Sequence, residues 1–461
     1  MGSTIQQAAM PAVDPKDLRP GDGARSRLAT LLDEGSFVEL GSQRHHDKSS
    51  FGLEHKRPDG DGVVAGTGAI RGRQVNVYAQ DRRVLGGSLG EAHADKIARS
   101  IEQATRGGVP VVGINDSGGA RIQEGVASLD GYGRVFSANV AASGRVPQVA
   151  MILGPCAGGA TYSPALMDFV VMSDDSYMFL TGPRVVKAVT GEDIDSRGLG
   201  GPEVHGSRSG VAHFVVKDDA EAFAVTSELL SYLPSSSSVA PPQIAAQEPD
   251  EVDLDTLVPA DGRQPYDVRD AIRGIVDGGR FLEVQEHWAR NLVVGFSRID
   301  GRTVGIVANQ AKWLAGVLDL TASEKGARFV RFCDAFGIPL VVLVDVPGFL
   351  PGTAQEYGGV IRKGAKLLHA FASATVPRIT VVLRKAFGGS YIVMNSRSLG
   401  ADAVLAWPNA ELAVMGAEGA ADVIFRKQID AEPDRRDELV EQYRQDAMHV
   451  DLAARRGSVD E

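Results

Sequence analysis

Two glycine pairs, Gly158-Gly159 and Gly388-Gly389, are the residues whose type and placement best suit chemistry. Each pair follows an apolar run typical of a β-strand and precedes a stretch that favours a helix. Glycines at such a turn let the backbone approach a ligand and leave N–H groups at a helix N-terminus, where negative charge is stabilised. If the bound group is a thioester carbonyl, enolate charge would develop there, and each preorganised donor would contribute ~3 kcal/mol.

The duplication of this glycine turn bears on the kind of reaction. A second oxyanion site implies a second carbonyl whose oxygen gains charge, which favours a reaction between two enolate-forming carbonyl compounds over a simple hydrolysis. The competing interpretation is structural, because Gly-Gly after a strand most often forms a turn or a tight helix–strand contact. Spacing alone supports the two interpretations equally.

Other chemistry-bearing residues are less well placed. Asp116, Glu124, Asp345 and Glu356 could act as bases, but carboxylates at the ends of loops more often cap helices or bind local amides. Cys156 is expected to be a small buried residue. Dinucleotide, P-loop and HExxH motifs are absent, and the sequence predicts no metal site. Without an evident side-chain base, the proton acceptor is expected to belong to a cofactor.

The elements that must position these residues occur twice. Each half contains a β-hairpin, a helix, a short apolar strand and an acidic, glycine-containing loop. Helices that alternate with short apolar strands predict a layered α/β fold, in which ligands gather at the carboxyl ends of strands. The predicted hairpins are 63–70 with 74–79 and 293–299 with 303–308, the helices are 90–106 and 322–336, the strands are 109–114 and 338–344, and the loops begin at Asn115 and Asp345.

A segment rich in serine, proline and acidic residues divides the chain. It is predicted to be a linker over residues 235–264, between domains at 24–234 and 265–461, after a disordered lead at 1–23. With 48 basic and 59 acidic residues the net charge is −11, so no nucleic acid is expected as a partner. No run reaches the ~20 apolar residues of a membrane span, and no signal peptide precedes the first domain. A soluble, cytoplasmic protein is expected.

Longer motifs carry a resemblance to a known family. They include INDSGGARIQEG and GPCAGGATYSPALMDFVVM in the first half, and VDVPGFLPGTAQEYGG and LGADAVLAWPNAELAVMG in the second. These segments strongly resemble the β (carboxyltransferase) subunits of propionyl-CoA carboxylase and related biotin-dependent acyl-CoA carboxylases, from residue 24 to about residue 459. The resemblance implies two ClpP/crotonase-like domains in a ring-shaped hexamer, although both ends of the chain look shorter than is usual in the family.

The resemblance also implies roles for individual residues. The acyl-CoA would lie mainly on the N-terminal domain of one subunit, and biotin would approach along the C-terminal domain of a neighbour. The amides of Gly158 and Gly159 would hold the thioester oxygen, and those of Gly389 and Ser390 would hold the ureido oxygen of biotin. Biotin N1 would accept the α-proton. Substrate-binding residues would be Ala157, Gly118, Gly119, Ala120, Tyr162 and Ile392, and biotin-binding residues would be Phe387, Gly388, Gly389 and Ser390.

The implied activity is transfer of a carboxyl group from carboxybiotin to the α-carbon of propionyl-CoA or a longer acyl-CoA, giving an alkylmalonyl-CoA. The chain contains no biotinylation triplet, so the biotin carrier and biotin carboxylase are expected on a partner polypeptide. Two departures stand out: Ser390 replaces a usual alanine, and apolar Ile392 suggests a longer or bulkier acyl chain. The alternatives are an acyl-CoA decarboxylase, a carboxyltransferase with an unusual acceptor, and a non-catalytic scaffold subunit.

Overall fold

The computed structural model describes residues 23–461, so the lead predicted at residues 1–23 lies outside the described residues except for Gly23. The chain divides into two compact units, the first ending at Ala240 and the second beginning at Pro241. This boundary falls inside the segment predicted to be a linker. Within the described residues, no helix is both long and apolar enough to cross a membrane.

The first unit is built on one mixed sheet in the order β1-β2-β3-β4-β5-β6-β8, with β7 paired to the end of β5. The hairpin strands β2 and β3 are antiparallel, and from β3 to β8 the strands run parallel. The strands are β1 Val38–Glu39, β2 Val63–Ile70, β3 Arg73–Gln80, β4 Val111–Ser117, β5 Gln148–Ala157, β6 Phe169–Ser173, β7 Tyr177–Phe179 and β8 Phe214–Val216. The helices α1 to α8 are Ala24–Leu31, Glu91–Gly107, Val126–Ala142, Tyr162–Leu166, Pro183–Thr190, Ser196–Gly200, Pro202–Val204 and Asp219–Tyr232.

The second unit repeats this plan in the order β14-β13-β12-β11-β10-β9, with β15 paired to the end of β13. The strands are β9 Leu282–Val284, β10 Leu292–Ile299, β11 Arg302–Asn309, β12 Leu340–Val346, β13 Arg378–Phe387, β14 Ala403–Ala406 and β15 Glu411–Ala413. The helices α9 to α18 are Leu254–Leu257, Val268–Arg273, Leu320–Ala335, Thr353–Gly358, Val360–Ser373, Gly388–Val393, Ala417–Ile424, Arg426–Ala431, Arg436–Ala447 and Val450–Arg455.

The hairpin turns show how closely the units match. In the first, the Asp33 carboxylate accepts the amide N–H groups of Arg71 (2.9 Å) and Gly72 (2.7 Å). In the second, Asp277 accepts those of Asp300 (3.0 Å) and Gly301 (2.7 Å). All four turn residues have positive φ, where a carboxylate that satisfies both amides stabilises the turn. The predicted duplicated α/β unit is confirmed.

The predicted hairpins agree with the structure to within one residue at each end. The prediction that loops begin at Asn115 and Asp345 is wrong, because β4 continues to Ser117 and β12 to Val346. These polar residues are buried in the sheet and bonded there, so their polarity does not end the strand. Residues of the 235–264 segment bond to their own units: Ser237 N–H donates to the Arg145 carbonyl, and Arg384 donates to the Gln264 carbonyl.

Candidate functional site

Gly158 and Gly159 begin a 3₁₀ turn directly at the carboxyl end of β5. Gly158 has φ +62°, a left-handed conformation that glycine adopts without steric cost. The first N–H groups of a helical turn have no acceptor within it, so both glycine amides begin the turn as available donors. The turn continues into α4, whose Tyr162 N–H donates to the Gly159 carbonyl. The predicted strand-to-helix turn is therefore present, and it begins at Gly158.

The aromatic ring of Tyr132 packs against this turn. A Cβ atom on Gly159 would lie 3.0 Å from the ring of Tyr132, which is 4% exposed on α3. Phe136, one helical turn further along α3, stacks on Tyr132 and contacts the ring of Tyr162 edge-on, with centroids 5.6 and 5.8 Å apart. Only Tyr162 in this series is well exposed, at 50%. Close packing at Gly159 and donor presentation thus coexist, so the two sequence interpretations are not exclusive.

The loop Gly118-Gly119-Ala120 lies against the same turn. The Gly118 N–H donates to the Gly86 carbonyl (3.0 Å), and a Cβ atom on Gly119 would lie 2.8 Å from the Ala157 carbonyl oxygen. Ala120 forms an isolated parallel bridge with Leu89. The structure therefore places Gly119 next to the end of β5, with Gly118 and Ala120 beside it in the same loop.

The second unit carries the matching turn at the end of β13. Gly388 has φ +61° and begins α14, with Phe387 as its N-cap. A Cβ atom on Gly389 would meet no atom within 4 Å, so the turn has open space on its side-chain face. Ser390 is fully buried, and its hydroxyl donates to the Phe387 carbonyl (2.7 Å). The added hydroxyl is thus bonded within the turn and leaves the Ser390 amide in the same N-terminal position.

Ile392 lies on α14 with 43% of its surface exposed. It stands three residues after Gly389, as Tyr162 stands three residues after Gly159. Each unit therefore presents a half-exposed apolar or aromatic side chain beside its glycine turn.

The carboxylates considered as bases are bonded elsewhere. Asp116 pairs with Arg27 (3.0 Å), Asp345 with Arg384 (2.9 Å) and Glu124 with Arg121 (2.8 Å), and all six side chains are buried. A buried ion pair holds its carboxylate in place, which suits structural support better than proton transfer. Glu356 is exposed on α12.

Cys156 is fully buried, and burial followed by the nearby charge of Asp116 raises the pKa of its thiol well above the usual range. Its expected role as a packed residue fits this environment. Among residues 23–461 no group of three or more His, Cys, Asp and Glu side chains could hold a metal ion.

One motif escaped the sequence reasoning. Gly86-Gly87-Ser88-Leu89-Gly90 has the GxSxG spacing of a hydrolase nucleophile turn. In the structure the Ser88 hydroxyl donates to the Leu85 carbonyl (2.7 Å), and its oxygen accepts a long bond from Arg121 (3.4 Å). Ser88 is therefore bonded as part of a turn, without the histidine contact that would activate it.

Comparison with known proteins agrees with this geometry. Residues 21–461 match the family described as the carboxyl transferase domain. The chain is 52% identical to the propionyl-CoA carboxylase beta chain of Saccharopolyspora erythraea over 456 residues, 95% of this chain and 84% of that one. It is also 52% identical to the methylmalonyl-CoA decarboxylase subunit alpha of Veillonella parvula over 441 residues, 95% of this chain and 86% of that one.

A solved structure shows the same fold. Transcarboxylase 12S, described as a hexamer assembly with methylmalonyl-coenzyme A and methylmalonic acid bound, superposes with a TM-score of 0.93. The two sequences are 53% identical, and the match covers 95% of this chain and 85% of that one. The expected tandem ClpP/crotonase-like fold is confirmed. The chain belongs to the carboxyl transferase domain family and is an acyl-CoA carboxyltransferase of the biotin-dependent carboxylase type.

Proposed function

We propose that this chain transfers a carboxyl group between biotin, carried on a partner subunit, and the α-carbon of propionyl-CoA or a longer acyl-CoA. The observation that carries the proposal is the duplicated turn: Gly158 and Gly388 have φ of +62° and +61° at the same strand end in both units. Two equivalent sets of amide donors suit a reaction in which two carbonyl oxygens gain negative charge.

In the first unit, the Gly158 and Gly159 amides donate to the thioester oxygen as the α-carbon loses its proton. These donors are held by the 3₁₀ turn and by the Tyr132 ring beneath it, so they need no reorganisation during the reaction. Ala157, the Gly118-Gly119-Ala120 loop and Tyr162 form the surrounding wall. Enolate formation is favoured here because donors, not water, receive the developing charge.

In the second unit, the Gly389 and Ser390 amides hold the ureido oxygen of biotin, and Phe387 and Gly388 shape the turn. The residues present leave room for this group, because a Cβ atom at Gly389 would meet nothing within 4 Å. Both amides belong to the first turn of α14, where N–H groups have no acceptor within the helix. Biotin supplies the transferable carboxyl group and a nitrogen that accepts the α-proton. This chain's part is therefore binding, orientation and exclusion of water, which is consistent with the buried ion pairs of Asp116, Glu124 and Asp345.

The proposal includes partners that the chain itself does not contain. A biotin carboxylase and biotin carrier would be separate subunits. Transcarboxylase 12S, the solved relative, forms a hexamer, and we propose the same assembly for this chain. The biotin site of one subunit would then face the acyl-CoA site of a neighbour. Ile392 would line the acyl pocket, where an apolar side chain favours longer acyl chains.

The reverse reaction of the purified chain tests the proposal without a partner. Methylmalonyl-CoA and free biotin should give propionyl-CoA and carboxybiotin: the bond from the α-carbon to the carboxylate breaks, an N–C bond forms, and the biotin proton moves to the α-carbon. Replacement Gly159→Pro, which removes one amide donor, should abolish turnover. Near-normal rates in a folded Gly159→Pro variant would refute the oxyanion role.

A second candidate is a decarboxylase subunit, favoured by the 52% identity to the methylmalonyl-CoA decarboxylase subunit alpha of Veillonella parvula. Both activities use the same two turns and differ in the fate of the carboxyl group on the biotin partner. Turnover with free biotin is common to both, so the partner subunit decides. A biotin carboxylase that forms a complex with this chain supports the carboxylase, whereas a biotin-bearing partner that releases the carboxyl group as CO2 supports the second candidate. Lack of any turnover would favour the scaffold alternative.

A further inference from the structure

Both sheets contain the same irregularity one step before the glycine turn. Between β4 and β5, paired residues advance from Asn115 with Ile152 to Ser117 with Cys156, so one residue of β4 lies opposite three of β5. Between β12 and β13, pairing advances from Val344 with Val382 to Val346 with Ala386. The single residues opposite these bulges are Asp116 and Asp345.

At the bulge, β5 and β13 each change the strand with which they pair. In β5, residues 149–152 pair with β6 and residues 155–157 pair with β7. In β13, residues 379–382 pair with β14 and residues 385–387 pair with β15. A bulge bends and twists the strand that contains it. The direction of the last three strand residues, and of the glycine amides that follow, therefore depends on the bulge.

Each carboxylate fills its bulge. Asp345 Oδ1 accepts the Lys385 backbone N–H (3.1 Å), and its Oδ2 accepts from Arg384 Nη2 (2.9 Å). A Cβ atom on Gly154 would lie 2.5 Å from Asp116 Oδ1, so the carboxylate occupies the space that a side chain would need. Both aspartates are buried, at 1% and 0% exposure.

The cations come from different elements in the two units. Arg27 on α1 donates to Asp116 (3.0 Å) and to the Leu153 carbonyl of the bulge (2.8 Å). Arg384 belongs to the second bulge itself, at the position matching Gly154. The aspartate is common to the two units although its cation is supplied differently. The requirement that they share is thus a buried carboxylate at the bulge.

We propose that Asp116 and Asp345 are positioning residues, each of which sets the aim of the amide donors that follow its own bulge. Asp116 acts through the β5 bulge on the Gly158 and Gly159 amides, and Asp345 acts through the β13 bulge on the Gly389 and Ser390 amides. The inference rests on the proposed function. It adds that each aspartate affects the binding only of the ligand that its own unit holds.

The reverse reaction separates the two effects, because the KM values for methylmalonyl-CoA and for free biotin are measured independently. Asp345→Asn should lower kcat/KM for biotin by about 10²-fold, the order expected when reacting groups are misplaced by an ångström, with KM for methylmalonyl-CoA unchanged. Asp116→Asn should raise KM for methylmalonyl-CoA and leave that for biotin unchanged. Hydrogen exchange should speed up over residues 383–390 in Asp345→Asn and over 153–161 in Asp116→Asn.

Asp277→Asn is the matched control. Asp277 is also buried in the second unit, but it holds the hairpin turn at the opposite end of the parallel strands. It should change stability and leave the biotin KM at its wild-type value. If Asp345→Asn does not fold, Asp345→Asn combined with Arg384→Gln removes the unpaired buried charge and tests the same prediction.

The outcomes distinguish failure of the proposed function from failure of the positioning roles of Asp116 and Asp345. Wild-type chain that converts no methylmalonyl-CoA with biotin contradicts the proposed function. Active wild-type chain whose two variants shift both KM values in parallel, or shift neither, overturns the positioning roles and leaves the proposed function standing. Faster exchange spread over both units in either variant would likewise overturn them.

Discussion

The Tyr132 ring packs against Gly159 so closely that a Cβ atom added to that glycine would lie 3.0 Å from two of the ring carbons. Tyr132 reaches this place from α3, well before Gly159 in the chain. Because this packing leaves no room for a side chain, the ring limits how closely the turn can approach α3. The amides proposed as oxyanion donors in the first unit are therefore supported by a buried residue of another element.

Replacing Gly159 by alanine tests this contact. The new methyl group would force the Tyr132 ring or the turn to shift, and the shift would misplace the amide donor. Loss of one such donor lowers kcat by about 10²- to 10³-fold. Steady-state kinetics of Gly159→Ala should show that loss. Gly389→Ala, where no atom lies within 4 Å of the added group, is the matched variant and should lose much less through packing.

Tyr132→Phe should leave folding intact. The Tyr132 hydroxyl is buried and meets no partner at good hydrogen-bond geometry, and burial raises the pKa of this phenol. Removing an unsatisfied buried polar group is neutral or stabilising, whereas Tyr132→Ala should cost ~3–5 kcal/mol by opening a cavity. Chemical denaturation of both variants measures the difference. A large loss in Tyr132→Phe would show that the hydroxyl has a role.

His93 should make the protein sensitive to acid. Burial, followed by the positive charge of Arg121, lowers the pKa of His93 from 6.5 to about 3. The unfolded chain therefore binds a proton below pH 6.5 that the folded chain binds only near pH 3, and stability falls across this window as the pH is lowered. The loss amounts to up to ~5 kcal/mol. Denaturation from pH 7 to pH 4 should show a shallower slope in His93→Gln than in the wild type.

Ile392→Asp should change the acyl preference. A charged side chain on the proposed pocket wall would be poorly solvated next to a long acyl chain, whereas each buried CH₂ group favours binding by ~0.8 kcal/mol in an apolar pocket. Competition between propionyl-CoA and butyryl-CoA should therefore shift toward the shorter substrate. An unchanged ratio would place Ile392 outside the acyl pocket.

The sequence predicted the repeated elements well because alternating apolar residues and turn glycines are local signals. The hairpin strands β2, β3, β10 and β11 agree with the structure to within a residue for this reason. The continuation of β4 to Ser117 and of β12 to Val346 was missed, because the polar side chains of Asp116 and Asp345 are paired with arginines distant in the chain. Such ion pairs depend on tertiary contacts and leave no local pattern.

The candidate site shows the same division. The glycine turns could be predicted from residue type and spacing, since a Gly-Gly pair after an apolar run is a local signal in the sequence. The inward bond of the Ser390 hydroxyl and the support from Tyr132 could not, because each depends on where a side chain points after folding.

The origin of Arg27 limits how the protein can be shortened. The first unit obtains the cation of its buried ion pair from α1, so a fragment that begins after residue 27 leaves Asp116 buried without that cation, far from the cut. The second unit carries its cation within its own sheet, but Arg384 also holds the carbonyls of Asp261 and Gln264. A separately expressed C-terminal domain should therefore begin upstream of residue 259, and an affinity tag is better placed away from the N-terminal helix.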